Sequence, residues 1–85
     1  MTMTTPTTQK AVVTVRYKPG VLDPQGSTIQ QALSDLGMSE IQAVRTGRTF
    51  ELELAADATR ESVERACRTL LANPVIEDFE IEMPS

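Results

Sequence analysis

The first regular pattern in the sequence is an alternation of apolar and polar positions between Ala11 and Lys18. Its odd-numbered positions are all apolar or aromatic. A period of two is typical of a β-strand that is buried on one face. The ten residues before it include five threonines and have no apolar period. We therefore predict a disordered tail over residues 1–10 and a single domain over residues 11–83.

A helical period follows the strand. Four apolar residues recur at positions i, i+3, i+4 and i+7, which places them on one face of a helix. Asp23 before Pro24 is typical of a helix N-cap followed by a proline in the first turn, and Gly37 is typical of the residue just past a helix end. The apolar stripe of this helix consists of Ile29, Ala32, Leu33 and Leu36.

Two further alternating segments come next, residues 41–45 and 50–54. The residues between them are Thr46, Gly47 and Arg48. Short alternating runs separated by a glycine-containing turn predict a β-hairpin, in which we expect Gly47 to supply the positive φ.

A second helix and a last strand complete the pattern. Thr59 or Asp57 is expected to cap the helix, and Asn73-Pro74 to end it. Its apolar stripe consists of Val63, Ala66, Cys67 and Leu70. Phe79, Ile81 and Met83 then alternate with acidic residues, which predicts a strand over residues 78–83.

The order β-α-β-β-α-β predicts an α+β fold of the ferredoxin-like split type, a four-stranded antiparallel sheet with two helices on one face. We expect strands one and four at the centre and strands two and three outside. The apolar side of the sheet would meet the helices through Val13, Val15, Phe50, Leu52, Phe79 and Ile81. The opposite side would carry Val12, Thr14, Arg16 and Val44 beside Glu51, Glu53, Glu80 and Glu82. A mixed face of this kind is either an ordinary solvated surface or one that another chain covers.

The amino-acid composition argues against several classes of function. The chain has no histidine, a net charge of −4 and three aromatic residues, which argues against imidazole catalysis and nucleic-acid binding. Its single cysteine, Cys67, lies on an apolar stripe and is predicted to be a core residue in a protein of a reducing compartment. No apolar run is long enough to span a membrane. We expect a soluble, cytoplasmic protein.

The connection between the first strand and the first helix is unusual because it contains two apolar residues, Val21 and Leu22. Loops are normally polar. In one interpretation these two side chains close the end of the core, and in the other they dock onto a partner together with Gln25. The two interpretations do not exclude each other, and the sequence leaves both open.

Three blocks of the sequence resemble the PurS family, and together the resemblance covers about residues 11–83. The blocks are Lys18-x-Gly20-Val21-Leu22-Asp23-Pro24-Gln25-Gly26 with the helical residues up to Gly37, then Val44-Arg45-x-Gly47-Arg48, then Leu71-Ala72-Asn73-Pro74-Val75-Ile76-Glu77-Asp78-Phe79.

The resemblance implies the small, non-catalytic subunit of phosphoribosylformylglycinamidine synthase, in de novo purine synthesis. Such a subunit bridges a glutaminase subunit and an ATP-dependent synthetase subunit, so that ammonia from glutamine reaches formylglycinamide ribonucleotide. It implies a homodimer, with a tetramer as the alternative. It also implies that the complex uses ATP, Mg and glutamine while this chain binds no cofactor or metal and has no catalytic residue.

We take as candidate partner contacts six residues of the first two blocks, Lys18, Val21, Leu22, Gln25, Arg45 and Arg48. For Arg45 and Arg48, the alternative to an ionic contact with the synthetase or glutaminase subunit is a solvated basic hairpin tip. Asn73-Pro74 is interpreted as a structural stop. A different class of function stays open beside the bridge: a stand-alone ferredoxin-like regulatory domain that binds a small ligand.

Overall fold

The computed structural model describes residues 9–83. The described chain contains three strands, two α-helices and one π-helical segment. In chain order these elements are β1 (Gln9–Tyr17), α1 (Pro24–Asp35), β2 (Gly47–Leu54), α2 (Arg60–Ala66), the π-segment (Cys67–Leu71) and β3 (Glu77–Glu82). β1 begins at Gln9, two residues before the predicted start of the domain, and the predicted disorder of residues 1–8 lies outside the described residues.

The strands form an antiparallel sheet in the order β2-β1-β3. Val13 is opposite Phe50 on one side and Ile81 on the other, which fixes the register of both pairings. The α+β class and the antiparallel sheet are confirmed, but within residues 9–83 the sheet has three strands and not four. The prediction that the last strand lies at the centre is wrong, because β1 alone is central and β3 is an edge strand.

The predicted alternation is confirmed for β1, β2 and β3. Ala11, Val13 and Val15 are buried on one face of the central strand. The opposite face carries exposed carboxylates on both edge strands, at Glu51, Glu53, Glu80 and Glu82. Because successive side chains of a strand point to opposite faces, the same strand pairing buries the apolar residues on one face and exposes the carboxylates on the other.

The core lies between the sheet and the second helical region. Thr59 is the N-cap of α2, where its hydroxyl accepts the Ser62 N–H. The helix continues into the π-segment, in which the Ala72 N–H donates to the Cys67 carbonyl at 2.9 Å, an i to i+5 bond. Val63, Cys67 and Ala72 join the buried residues of β1, and Cys67 is fully buried as predicted.

The first helix forms as predicted but does not contribute to this core. Asp23 is its N-cap, Pro24 stands in its first turn, and Gly37 follows its end with a φ of +92°. None of its apolar residues is in the core cluster of the described chain, and Leu36 is 72% exposed. The expectation that both helices cover one sheet face is therefore wrong for α1.

The predicted strand over residues 41–45 and its hairpin are also absent from the described chain. Gly47 and Arg48 already belong to β2, opposite Arg16 and Val15, so no turn forms at that point. The positive φ values are at Gly20 and Gly37, not at Gly47. Gly47 is required for another reason: a Cβ there would lie 2.6 Å from the Val15 carbonyl oxygen. Val44 accordingly lies outside the sheet.

Candidate partner-binding site

The loop that follows β1 has a defined conformation. The Lys18 N–H donates to the Ile76 carbonyl at 2.9 Å, and the Val21 N–H donates to the Lys18 carbonyl at 3.0 Å. Gly20, with a φ of +87°, allows the chain to turn between them. Leu22 is 71% exposed, so it does not close the core, whereas Val21 is half-buried. The backbone of the loop is therefore fixed by hydrogen bonds, and the loop exposes the apolar side chain of Leu22 to solvent.

Asp23 connects this loop to a distant part of the chain. Its carboxylate accepts the Gly26 N–H at 2.8 Å, which caps α1, and the Thr46 N–H at 2.7 Å. The Thr46 hydroxyl donates to the same carboxylate at 3.0 Å. The backbone hydrogen bond from Thr46, followed by that from Gly26, lowers the pKa of Asp23 below its ordinary value. One carboxylate thus fixes both the start of α1 and the start of β2.

A close backbone approach supports the same arrangement. Gly26 is buried in α1, and a Cβ at this position would lie 2.2 Å from the Val44 carbonyl oxygen. Further along the helix, the Gln30 side-chain amide donates to the Ile41 carbonyl at 3.3 Å. The backbone of the segment before β2 is consequently held against α1, and it pairs with no strand within residues 9–83.

Arg45 and Arg48 do not form a hairpin tip. The Arg45 guanidinium donates to the Tyr17 carbonyl at the end of β1. The Arg48 guanidinium donates to both oxygens of Glu77, at 3.0 and 3.1 Å, and to the Leu71 carbonyl at 3.0 Å. Both arginines therefore hold elements of their own chain together.

Glu77 is a buried carboxylate, 7% exposed, at the start of β3. Besides Arg48 it accepts the Asn73 N–H at 2.7 Å, where the chain leaves the π-segment. Hydrogen bonding to Arg48, and then to Asn73, lowers the pKa of Glu77. The Arg48 guanidinium also lies 5.9 Å from the centre of the Phe50 ring. This cluster joins β2, the π-segment and β3 at one end of the sheet.

The structure brings most of the candidate residues to that end of the sheet. Gln25 and Arg48 line one cavity of about 160 Å³, together with Thr46 and Glu77. Arg45 lines a second cavity of similar volume on the outer side of the sheet. Their role in binding a partner stays a prediction.

Thr46 and Glu77 also lie at this end of the sheet, and neither is among the candidate contacts predicted from the sequence. A signal for Glu77 existed, since the alternation that places Phe79, Ile81 and Met83 on the inner side also places residue 77 there. An acidic residue at an inner position is rarely buried without a cationic partner. The partnership of Thr46 with Asp23 has no such signal.

Within residues 9–83 no group of three or more histidine, cysteine, aspartate or glutamate side chains is arranged to hold a metal ion. The helices of this same stretch are too short and too polar for any of them to cross a membrane.

Comparison with known proteins decides the family. The family model described as "PurS: Phosphoribosylformylglycinamidine (FGAM) synthase" matches residues 10–85. The chain belongs to the PurS family. It is 42% identical over 77 residues to subunit PurS of phosphoribosylformylglycinamidine synthase from Methanocaldococcus jannaschii, covering 87% of this chain and 93% of that protein. With PurS of Bacillus subtilis the identity is 43% over 76 residues, covering 87% and 90%.

Solved PurS structures have the same fold. A crystal form of Bacillus subtilis PurS matches with a TM-score of 0.82 and 42% identity, covering 91% of this chain and 99% of that one. A chain in the structure of PurLQS from Thermotoga maritima matches with a TM-score of 0.76 and 32% identity, covering 89% and 96%. These four PurS proteins are thus matched over at least 90% of their length.

Proposed function

We propose that this chain is the non-catalytic subunit of phosphoribosylformylglycinamidine synthase in de novo purine biosynthesis. In this role it bridges a glutaminase subunit and an ATP-dependent synthetase subunit, so that ammonia from glutamine reaches formylglycinamide ribonucleotide. The observation that carries the proposal is the match to PurS over nearly the whole chain, including a PurS-like chain of a PurLQS structure.

The finer parts of the proposal rest on the family resemblance and on composition. We expect a homodimer, with a tetramer as the alternative, acting in the cytoplasm. ATP, Mg and glutamine would be bound by the other subunits. The contribution of this chain would be to hold two active sites in register, which requires a rigid shape and defined contacts but no reacting group of its own.

The loop with Leu22 and Val21 is a suitable docking element for this role. Its backbone is fixed by two hydrogen bonds and by the cap at Asp23, so little conformational freedom is lost when a partner binds. Leu22 is mostly exposed, and burying a leucine side chain contributes roughly 1.5–3 kcal/mol. We expect the loop to insert Leu22 into an apolar recess of one of the two larger subunits.

The bridge function is tested by reconstitution. Matching synthetase and glutaminase subunits are assayed for amidine formation with glutamine or with ammonium salt as nitrogen donor, with and without this chain. We expect the chain to raise only the glutamine-driven rate. An equal effect on both reactions, or on neither, would contradict the bridge.

The docking element is tested by matched substitutions. Leu22→Asp should abolish complex formation in size-exclusion chromatography while the thermal unfolding of the isolated chain is unchanged. Leu70→Asp is the control, because Leu70 is 83% exposed on the helical side of the molecule. Loss of assembly with both variants, or with neither, would show that the Leu22 loop is not the docking element.

A further inference from the structure

We infer that Val75 is a second docking anchor beside Leu22, and that both side chains enter one apolar recess with an acidic rim on a single larger subunit. This contact rests on the proposed function, because it is the contact through which the bridge would be held. It follows from the turn that contains Val75, from the hydrogen bond that joins this turn to the Leu22 loop, and from the charges around both.

The turn that contains Val75 lies between the π-segment and β3 and has a fixed conformation. The Val75 N–H donates to Oδ1 of Asn73 at 3.1 Å. The backbone carbonyl of Asn73 accepts the N–H groups of Ile76 at 3.1 Å and of Glu77 at 2.7 Å. The Asn73 N–H donates to the Glu77 carboxylate at 2.7 Å. Hydrogen bonds thus hold the base of the turn, while Val75 itself is 78% exposed.

A backbone hydrogen bond joins this turn to the Leu22 loop. The Lys18 N–H donates to the Ile76 carbonyl at 2.9 Å, so the two turns adjoin each other at the end of β1. Each turn exposes one large apolar side chain, Leu22 or Val75. A single exposed apolar residue is common on a protein surface and needs no explanation. Two of them on adjoining turns of fixed backbone are a pre-organised pair, which loses little conformational freedom when a partner binds.

The charge at this end of the sheet indicates the chemistry of the partner. Residues 16–25, 45–48 and 72–78 contain four of the eight basic side chains of the sequence but only three of its twelve acidic ones. This end is therefore positive, although the whole chain has a net charge of −4. The four basic residues are Arg16, Lys18, Arg45 and Arg48.

Three of these basic side chains are available to a partner. Arg48 is paired with Glu77, but Arg45 donates to a neutral carbonyl. Arg16 and Lys18 have no side-chain partner within residues 9–83. Interfaces commonly place apolar anchors at their centre and polar or charged groups at their rim. An apolar pair with basic neighbours therefore fits an apolar recess that is bordered by carboxylates.

Photo-cross-linking in the assembled complex tests whether the two anchors enter one partner. A benzophenone amino acid replaces Leu22 or Val75, the chain is assembled with matching synthetase and glutaminase subunits, and the cross-linked subunit is identified by mass spectrometry. We expect both probes to label the same subunit. A probe in place of Leu70 is the control and should not label that subunit. No cross-link from position 75, or a cross-link to the other subunit, would overturn the shared recess.

A substitution tests the contribution of Val75 to affinity. Val75→Asp should raise the dissociation constant of the complex at least about tenfold, as expected for an anchor at the centre of an interface. Val75→Leu should retain binding, and Leu70→Asp should leave the dissociation constant unchanged. Because Val75 is mostly exposed, the thermal unfolding of the isolated chain should not change in any of the three variants. Unchanged affinity in Val75→Asp would show that Val75 is not an anchor.

A matched pair of substitutions tests the acidic rim. Arg16 and Lys10 are both exposed on the outer face of β1, at opposite ends of the strand. Arg16→Gln should lower the association rate constant at low ionic strength, and this loss should disappear in high salt. Lys10→Gln removes the same charge and should leave the rate constant unchanged. Equal effects of the two variants, or no effect of Arg16→Gln, would contradict an acidic rim around the recess.

Failure of this contact can be distinguished from failure of the bridge. If the natural chain raises the glutamine-driven rate while Val75→Asp binds normally, only the second anchor is refuted. If the natural chain does not bind the larger subunits at all, the bridge and the contact are refuted together.

Discussion

The carboxylate of Asp23 accepts the Thr46 N–H at 2.7 Å, across 23 residues of sequence, while it also caps α1 through the Gly26 N–H. A single side chain thereby fixes the angle at which α1 leaves the sheet. Asp23→Asn separates the two tasks, because one amide oxygen can still accept the Gly26 N–H but the amide nitrogen cannot accept from Thr46. We expect Asp23→Asn to lower the melting temperature and Asp23→Ala to lower it further.

The circular dichroism spectrum provides the control for this pair. The asparagine variant should keep the helix content of the natural chain, since its cap is retained, while the alanine variant should lose part of it. Equal melting temperatures for Asp23→Asn and the natural chain would show that the contact with Thr46 contributes no stability.

The pair Arg48–Glu77 should contribute more to stability than its partial exposure suggests. In Arg48→Met the Glu77 carboxylate stays buried and keeps the hydrogen bond from the Asn73 N–H, but it loses its cationic partner. We expect a loss of about 2 kcal/mol in the free energy of unfolding. Glu77→Gln should cost a similar amount. Denaturant unfolding of both single variants and of the double variant measures the coupling between them.

The double variant decides whether the two side chains act as a pair. We expect it to be less destabilised than the sum of the two single changes, because removing both partners leaves no buried charge without a counterion. Strict additivity would mean that Arg48 and Glu77 stabilise the chain independently.

Stability should fall in acid because the pKa values of Asp23 and Glu77 are both lowered in the folded chain. A lowered folded pKa gives stability that is complete above the unfolded pKa, near 4 for both residue types, and that is lost as the pH falls through the folded value. Denaturant midpoints between pH 7 and pH 2.5 should therefore decrease below about pH 4.5. Glu77→Gln should show a shallower decrease, and an unchanged slope would contradict the assignment to Glu77.

Gly26 should not tolerate a side chain. Glycine to alanine usually stabilises a helix interior, but here the added methyl group would lie 2.2 Å from the Val44 carbonyl oxygen. We expect Gly26→Ala to destabilise the chain by about 1–3 kcal/mol, as overpacking does elsewhere. Ser27→Ala, at the exposed neighbouring position of α1, should change stability by less than about 0.5 kcal/mol.

Local signals in the sequence predicted those parts of the fold that depend on local chemistry. Asp23-Pro24 and Gly37 bound α1, Thr59 begins α2, and the burial of Cys67 follows from its place on an apolar stripe. Caps and periodicities are encoded by neighbouring residues, so a single sequence reveals them.

The errors concern residues whose neighbours are distant in sequence. The segment 41–45 alternates like a strand, but the close approach of Gly26 and the hydrogen bond from Thr46 to Asp23 hold it against α1. Likewise the alternating pattern predicts Arg48 at the tip of a hairpin, whereas its partner Glu77 lies 29 residues away. Contacts of this kind depend on the packing of the whole chain, which periodicity does not describe.

Cys67 has a practical consequence. Burial raises the pKa of its thiol, so that little thiolate exists at neutral pH, and its side chain is enclosed by β1 and α2. A thiol reagent can then reach this sulfur only when the core opens. The rate at which Cys67 is labelled by a thiol reagent therefore measures how often the core opens. The same measurement applies to the isolated subunit and to any assembly that it joins.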